Sequence, residues 1–116
     1  MTLRLLRGSR AERRALRHLS RHGLRCLARN VHTPAGELDL IMADGPVIVF
    51  VEVRSKHDDT WGPAAATVDG RKQHRLKRAA DLYLAHRNLH EHMVRFDVVA
   101  IDGDTISWLP DAFAPA

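Results

Sequence analysis

The segment GELDLIMADGPVIVFVEVR, residues 36–54, constrains the fold more than any other part of the chain. Two apolar arms, the second rich in β-branched residues, flank a turn signal and read as an antiparallel hairpin of Glu37–Met42 and Val47–Arg54. The turn is expected at Ala43-Asp44-Gly45-Pro46, centred on Asp44-Gly45. Ala43 then faces Pro46, Ile41 faces Ile48, Asp39 faces Phe50 and Glu37 faces Glu52. Alternation puts Leu38, Leu40, Met42, Val47, Val49, Val51 and Val53 on one face. The other face carries Ile41, Ile48 and Phe50 near the turn, and Glu37, Asp39, Glu52, Arg54 and Lys56 at the open end.

Other elements follow from local signals. Ser9 with Glu12 makes a capping-box pattern, which starts a helix at about Arg10 and runs it to His22, where Gly23 ends it. A strand is expected at Leu24–Val31, and Thr33-Pro34-Ala35-Gly36 reads as a loop. After a loop from Ser55 to Ala66, Leu76, Ala79, Ala80 and Tyr83 fall at helical spacing within a helix from about Thr67–Asp69 to Arg87. Strands Val94–Ile101 and Thr105–Leu109 close the chain around Asp102-Gly103-Asp104. The order α-β-β-β-α-β-β is that of an α/β domain, a mixed sheet flanked by helices.

At 116 residues, 45% of them apolar, the chain reads as one domain with one modest core, residues 1–116. Cys26 is the only cysteine, which excludes an internal disulfide and fits a reducing compartment. The basic N-terminus lacks a signal-peptide core, and no apolar run approaches a membrane span. The expectation is a cytoplasmic protein with no membrane partner.

The open end of the hairpin carries the chemistry. Glu37 opposite Glu52 is a like-charge pair, which destabilises a bare strand pair. In this register Asp39 and Glu52 are diagonal neighbours, roughly 7–8 Å apart at the backbone, so their side chains could converge on one cation. Oxygen-only ligands at a partly open site suit Mg²⁺ or Mn²⁺. A solvated strand end, with the carboxylates paired to Arg54 and Lys56, is the plain alternative. Glu12 lies with Ala15, Leu16 and Leu19 on the core-facing side of the first helix, where it could point toward Asp39. The capping box also accounts for a glutamate there. The role of Glu37, as ligand, outer group or repelled neighbour, stays open.

The formal charge of +4 favours polyanionic partners. Arg10, Arg14, Arg17 and Arg21 form one helix stripe, and the second helix adds Arg71, Lys72, Arg75, Lys77 and Arg78. Both could contact a phosphate backbone, or be ordinary solvated faces. His18/His22 and His86/His90 have zinc spacing but no third ligand, and read as surface residues. Trp61 and Trp108 read as core or edge aromatics. No Gly-rich phosphate loop and no serine or cysteine nucleophile signature is present.

Several segments together resemble the YraN family: Gly8–Leu16 (GSRAERRAL), Arg29-Asn30, Gly36–Ile41 (GELDLI), Phe50–Arg54 (FVEVR), the Lys72 helix, Arg95–Val99 (RFDVV) and Ala112-Phe113. The resemblance spans nearly the whole chain, and GELDLI followed by FVEVR is its most specific part. That family is similar to the restriction-endonuclease-like fold and to archaeal Holliday-junction resolvases. The resemblance implies a metal site of acid–acid–x–lysine type, with Asp39 and Glu52 as strand acids and Glu12 as the helix glutamate. Arg54 stands where that pattern usually has lysine. An arginine stays protonated and cannot act as a general base, although it can stabilise charge on phosphate. Lys56 on the same strand face, or Lys72 from the helix, could substitute.

Three functions compete. The first is a Mg²⁺- or Mn²⁺-dependent endonuclease on branched or structured DNA, with catalytic residues Asp39, Glu52, Arg54, Glu12 and Lys56. Its metal ligands are Asp39, Glu52 and Glu12, and its DNA contacts Arg10, Arg14, Arg17, Arg21, Lys72 and Arg75. A homodimer would suit the two symmetric cleavage points of a junction. The second is a nucleic-acid-binding module that keeps the fold and has lost cleavage. The third is an RNA- or protein-interaction role.

Overall fold

The computed structural model describes residues 3–55 and 68–115. Lys56, the His57-Asp58-Asp59 segment and Trp61 lie outside the described residues. The elements are α1 (Leu3–Arg21), β1 (Arg25–Thr33), β2 (Gly36–Asp44), β3 (Val47–Ser55), α2 (Gly70–His86), β4 (Val94–Asp102) and β5 (Thr105–Phe113). The expected α-β-β-β-α-β-β order holds. The five strands form one open mixed sheet in sequence order, with β3 and β4 parallel and the other neighbours antiparallel.

The parallel pair is what needs α2. A crossover must carry the chain from the end of β3 back to the start of β4. The first turn of α2 therefore lies by the carboxyl end of β3. Asp69 caps that turn, its carboxylate accepting the Lys72 backbone N–H at 3.0 Å.

The helices cover opposite faces of the sheet. Ala15 and Leu19 of α1 pack on Leu40, Met42, Val49, Val51, Val99 and Ile101. Leu76, Ala79, Ala80, Tyr83 and Leu84 of α2 pack on Ile41, Ile48, Phe50, Phe96 and Val98. On the α2 side Phe50, Phe96 and Phe113 stack in a row, with centroids 5.5 and 5.0 Å apart, and Tyr83 meets Phe50 edge-on at 6.0 Å. Trp108 packs against the α1-side cluster, as an edge aromatic should.

Several local expectations change. Helix α1 begins at Leu3, so Ser9 is inside it and the capping box does not exist. Nothing between Leu3 and Ser9 stops a helix; Gly8 costs only about 1 kcal/mol there. The hairpin turn lies one residue later than expected. Asp44 pairs with Val47, leaving Gly45-Pro46 as a two-residue loop with Gly45 at φ 57°. Pro46 has no N–H to give a partner strand, so the loop is its natural place. The pairs become Ile41 with Phe50 and Leu40 with Val51. The ladder ends at Leu40 with Val51, and Asp39 and Glu52 are the next residues of the two strands, whereas the expected register has Asp39 facing Phe50. Leu38 also changes face and joins the α2-side cluster with Ile41. The two-residue alternation breaks between them, opposite Asn30, which sits in the left-handed region at φ 50°.

Strand β5 runs past Pro110, which an edge strand tolerates. The register shifts between Phe96 and Val98, and Asp97 fills the irregularity with its side chain. Its carboxylate has no solvent exposure. It accepts bonds from Arg95 (2.9 and 3.0 Å), the Trp108 indole (2.9 Å) and the backbone N–H of Asp111 (2.9 Å), itself at φ 52°. Arg95 also donates to Asp44 at 2.9 Å, tying β4 to the β2–β3 turn. This network is a structural clasp at the turn end of the hairpin, whereas Glu37, Asp39 and Glu52 lie toward its open end. Among the described residues, no helix is long and apolar enough to cross a membrane.

Candidate functional site

In open α/β sheets, ligand sites collect beyond the carboxyl ends of parallel strands. Glu52 and Arg54 lie at that end of β3, and the capped first turn of α2 brings Lys72 there. A pocket of about 160 Å³ opens at this point, lined by Gly36, Glu37, Asp39, Glu52, Lys72, Arg75 and Leu76.

Asp39 is the centre of the arrangement. Its Oδ2 accepts the backbone N–H of Val53 at 2.9 Å, which fixes the carboxylate across the β2–β3 gap. Beside it stand Glu12 of α1 and Glu37 of β2. One carboxylate oxygen from each of Glu12, Glu37 and Asp39 lies within 4.8 Å of the others. Glu52 is outside that group of three. It also neighbours Asp39, and its Oε2 is 3.8 Å from the Lys72 ammonium.

These carboxylates are crowded and poorly solvated. Glu12 is 5% exposed and Glu52 6% exposed. Burial first, and then the hydrogen bond and charge of Asp39, push the Glu52 carboxyl up to about 9, against the pull of Lys72 and Arg54. Burial again, then Asp39, push Glu12 up to about 7, while a hydrogen bond from Asn30 lowers it. The Glu12 Oε2 atom is buried with no hydrogen-bond partner among the described residues. Two ionised carboxylates less than 5 Å apart repel by about 3 kcal/mol at an effective dielectric of about 20. A divalent cation would relieve both the repulsion and the orphaned oxygen. The all-oxygen donor set fits a hard cation such as Mg²⁺ or Mn²⁺.

The structure thus brings together Glu12, Asp39, Glu52, Lys72 and Arg75 of the expected residues. Glu12 faces inward on α1, as its helical position implied. Arg54 is half-buried and lowers the Glu52 carboxyl through its charge. Lys56 is outside the described residues. Arg10, Arg17 and Arg21 are exposed on α1, but Arg14 donates to the Gly103 carbonyl at 3.0 Å and so anchors α1 to the β4–β5 turn. Glu37, whose role the sequence left open, is a full member of the carboxylate group. The signal was its place two residues before Asp39.

Comparison with known proteins fits the motifs named above. Residues 11–101 match the model described as "Uncharacterised protein family UPF0102", the YraN family. The chain belongs to the UPF0102 family. A UPF0102 protein of Halorhodospira halophila is 53% identical over 107 residues, covering 92% of this chain and 86% of its own. One of Pseudomonas fluorescens is 49% identical over 112 residues, covering 91% of each. One of Yersinia pseudotuberculosis is 50% identical over 108 residues, covering 91% of this chain and 92% of its own. The UPF0102 match includes Glu12, Glu37, Asp39, Glu52, Arg54, Lys72 and Arg75, so the whole described pocket lies within it.

Proposed function

We propose that this chain is a cytoplasmic, divalent-cation-dependent endonuclease acting on branched or otherwise structured DNA. The observation that carries the reading is that Asp39 neighbours both the acids Glu12 and Glu37 and the Glu52–Lys72 pair. Asp39, Glu52 and Glu12 supply the carboxylates that would hold Mg²⁺ or Mn²⁺. When bound, the ion supplies acidification of water and neutralisation of phosphate charge.

The remaining work falls to the protein's own groups. The Val53 N–H holds Asp39 in one orientation. Lys72, half-buried and anchored beside Glu52, presents a fixed positive charge to a phosphate entering the pocket. It takes the part that the lysine two residues after Glu52 plays in the nuclease pattern. Arg54 adds charge stabilisation and stays protonated throughout. Arg75, exposed at the pocket, and the Arg10, Arg17 and Arg21 stripe grip flanking phosphates. Two copies acting together would suit a junction with two symmetric cleavage points.

A second reading, a nucleic-acid-binding module without cleavage, is favoured by one observation: arginine at position 54. Incubating the purified chain with four-way junctions, flaps, duplexes and matching RNAs, with Mg²⁺ or Mn²⁺, separates the readings. Metal-dependent cutting of a branched DNA supports the nuclease. Salt-sensitive binding with every substrate uncut supports the binding module, and a preference for RNA in direct competition contradicts both DNA readings.

A further inference from the structure

We propose that Glu37 is a further direct ligand of the divalent cation, joining Glu12 and Asp39 of the ligand set given above. This inference rests on the metal-dependent reading above and assigns within it a residue the nuclease pattern does not supply.

The geometry carries it in three steps. First, Glu37 and Asp39 sit two apart on β2, beside the break in its alternation. The oxygens they offer, with one of Glu12, lie within 4.8 Å of one another. Oxygens around an octahedral ion at about 2.1 Å stand about 3–4 Å apart. Shifts of about an ångström therefore bring these three onto one ion. Second, Glu12 is only 5% exposed within this group, and its Oε2 finds no hydrogen-bond partner among the described residues. A buried carboxylate oxygen without a donor is costly, and a cation at this position would satisfy it. Third, the donors come from two elements packed on each other, α1 and β2, so their spacing is set by the core around Ala15, Leu19 and Leu40. A position prepared in this way needs no ordering of a loop before it loads.

The test is Mn²⁺ binding to the full chain without nucleic acid, followed by electron paramagnetic resonance of the free ion. Four variants are compared with wild type: Glu37→Gln, Glu12→Gln, Asp39→Asn and, as an exposed acid away from the pocket, Glu91→Gln. Expected are saturable binding by wild type and Glu91→Gln, and affinity reduced by about tenfold or more in Glu37→Gln and Glu12→Gln. Thermal melting of metal-free Glu37→Gln at or above the wild-type value establishes that the loss is not one of folding. Wild-type affinity in Glu37→Gln, with binding lost in Asp39→Asn, overturns the assignment of Glu37 and leaves the nuclease reading standing. Absence of binding to wild type at millimolar Mn²⁺ overturns both.

Discussion

The Lys72 ammonium of α2 stands 3.8 Å from the Glu52 carboxylate of β3, so a helix cation lies beside the strand acid two residues before Arg54. Lys72→Gln is expected to lower the single-turnover cleavage rate by about a hundredfold, the scale of losing one preorganised charge at a reacting phosphate. DNA affinity should change by less than tenfold, because Lys72 is one cation among many. Equal losses in rate and affinity would make Lys72 a binding residue instead.

The raised carboxyls make stability depend on pH. In the unfolded chain both Glu12 and Glu52 titrate near 4.5; folded, they are near about 7 and about 9. The folded state therefore holds more protons, and stability falls as pH rises from 4.5 through these values. Metal-free protein should unfold at a higher temperature at about pH 5.5 than at about pH 8.5, by an effect on the order of 1–3 kcal/mol. Glu52→Gln, which carries no titrating proton, should flatten much of that slope. A melting temperature that rises with pH over this range would contradict the assignment.

The Arg95–Asp97 clasp has the opposite character, structural and fully satisfied. Arg95→Ala leaves the Asp97 charge buried with only the Trp108 and Asp111 donors. The expected cost is about 3 kcal/mol in urea denaturation, typical of breaking one side of a buried pair. Mn²⁺ affinity should be unchanged, which separates this network from the hairpin acids.

How much of the fold and site is legible in the sequence follows from range. Alternating apolar residues and the helical spacing of Leu76, Ala79, Ala80 and Tyr83 indicate the element order, because those patterns are local. The hairpin register goes astray because Asp44-Gly45 is a strong turn signal, and it outweighs Pro46, which cannot donate in a ladder. The candidate acids survive the error: moving the register by two pairs keeps every side chain on its face near the turn and brings Asp39 closer to Glu52. Leu38 escapes prediction because Asn30, on a different strand, marks the break in alternation. Asp97 escapes because a buried acid declares itself only through partners, and Trp108 and Asp111 are met only after β4 and β5 pair.

The two arginine roles on α1 should separate by salt dependence. Joint replacement of Arg10, Arg17 and Arg21 by alanine should weaken DNA binding uniformly across sequences. It should reduce the slope of log affinity against log salt by about one for each phosphate no longer neutralised. Arg14→Ala, which removes the bond to Gly103, should chiefly lower stability. A salt slope unchanged by the triple replacement would remove the α1 stripe from the interface.

The central claim is that the crowded acids around Asp39 form a cation site, and thermal melting tests it without needing the substrate. Wild type and Asp39→Ala/Glu52→Ala are melted over a titration of Mn²⁺ or Mg²⁺. The account requires a melting temperature that climbs with metal in wild type, since an ion that binds only the folded state stabilises it, and no such climb in the double variant. A flat wild-type titration, or the same rise in both proteins, would contradict it.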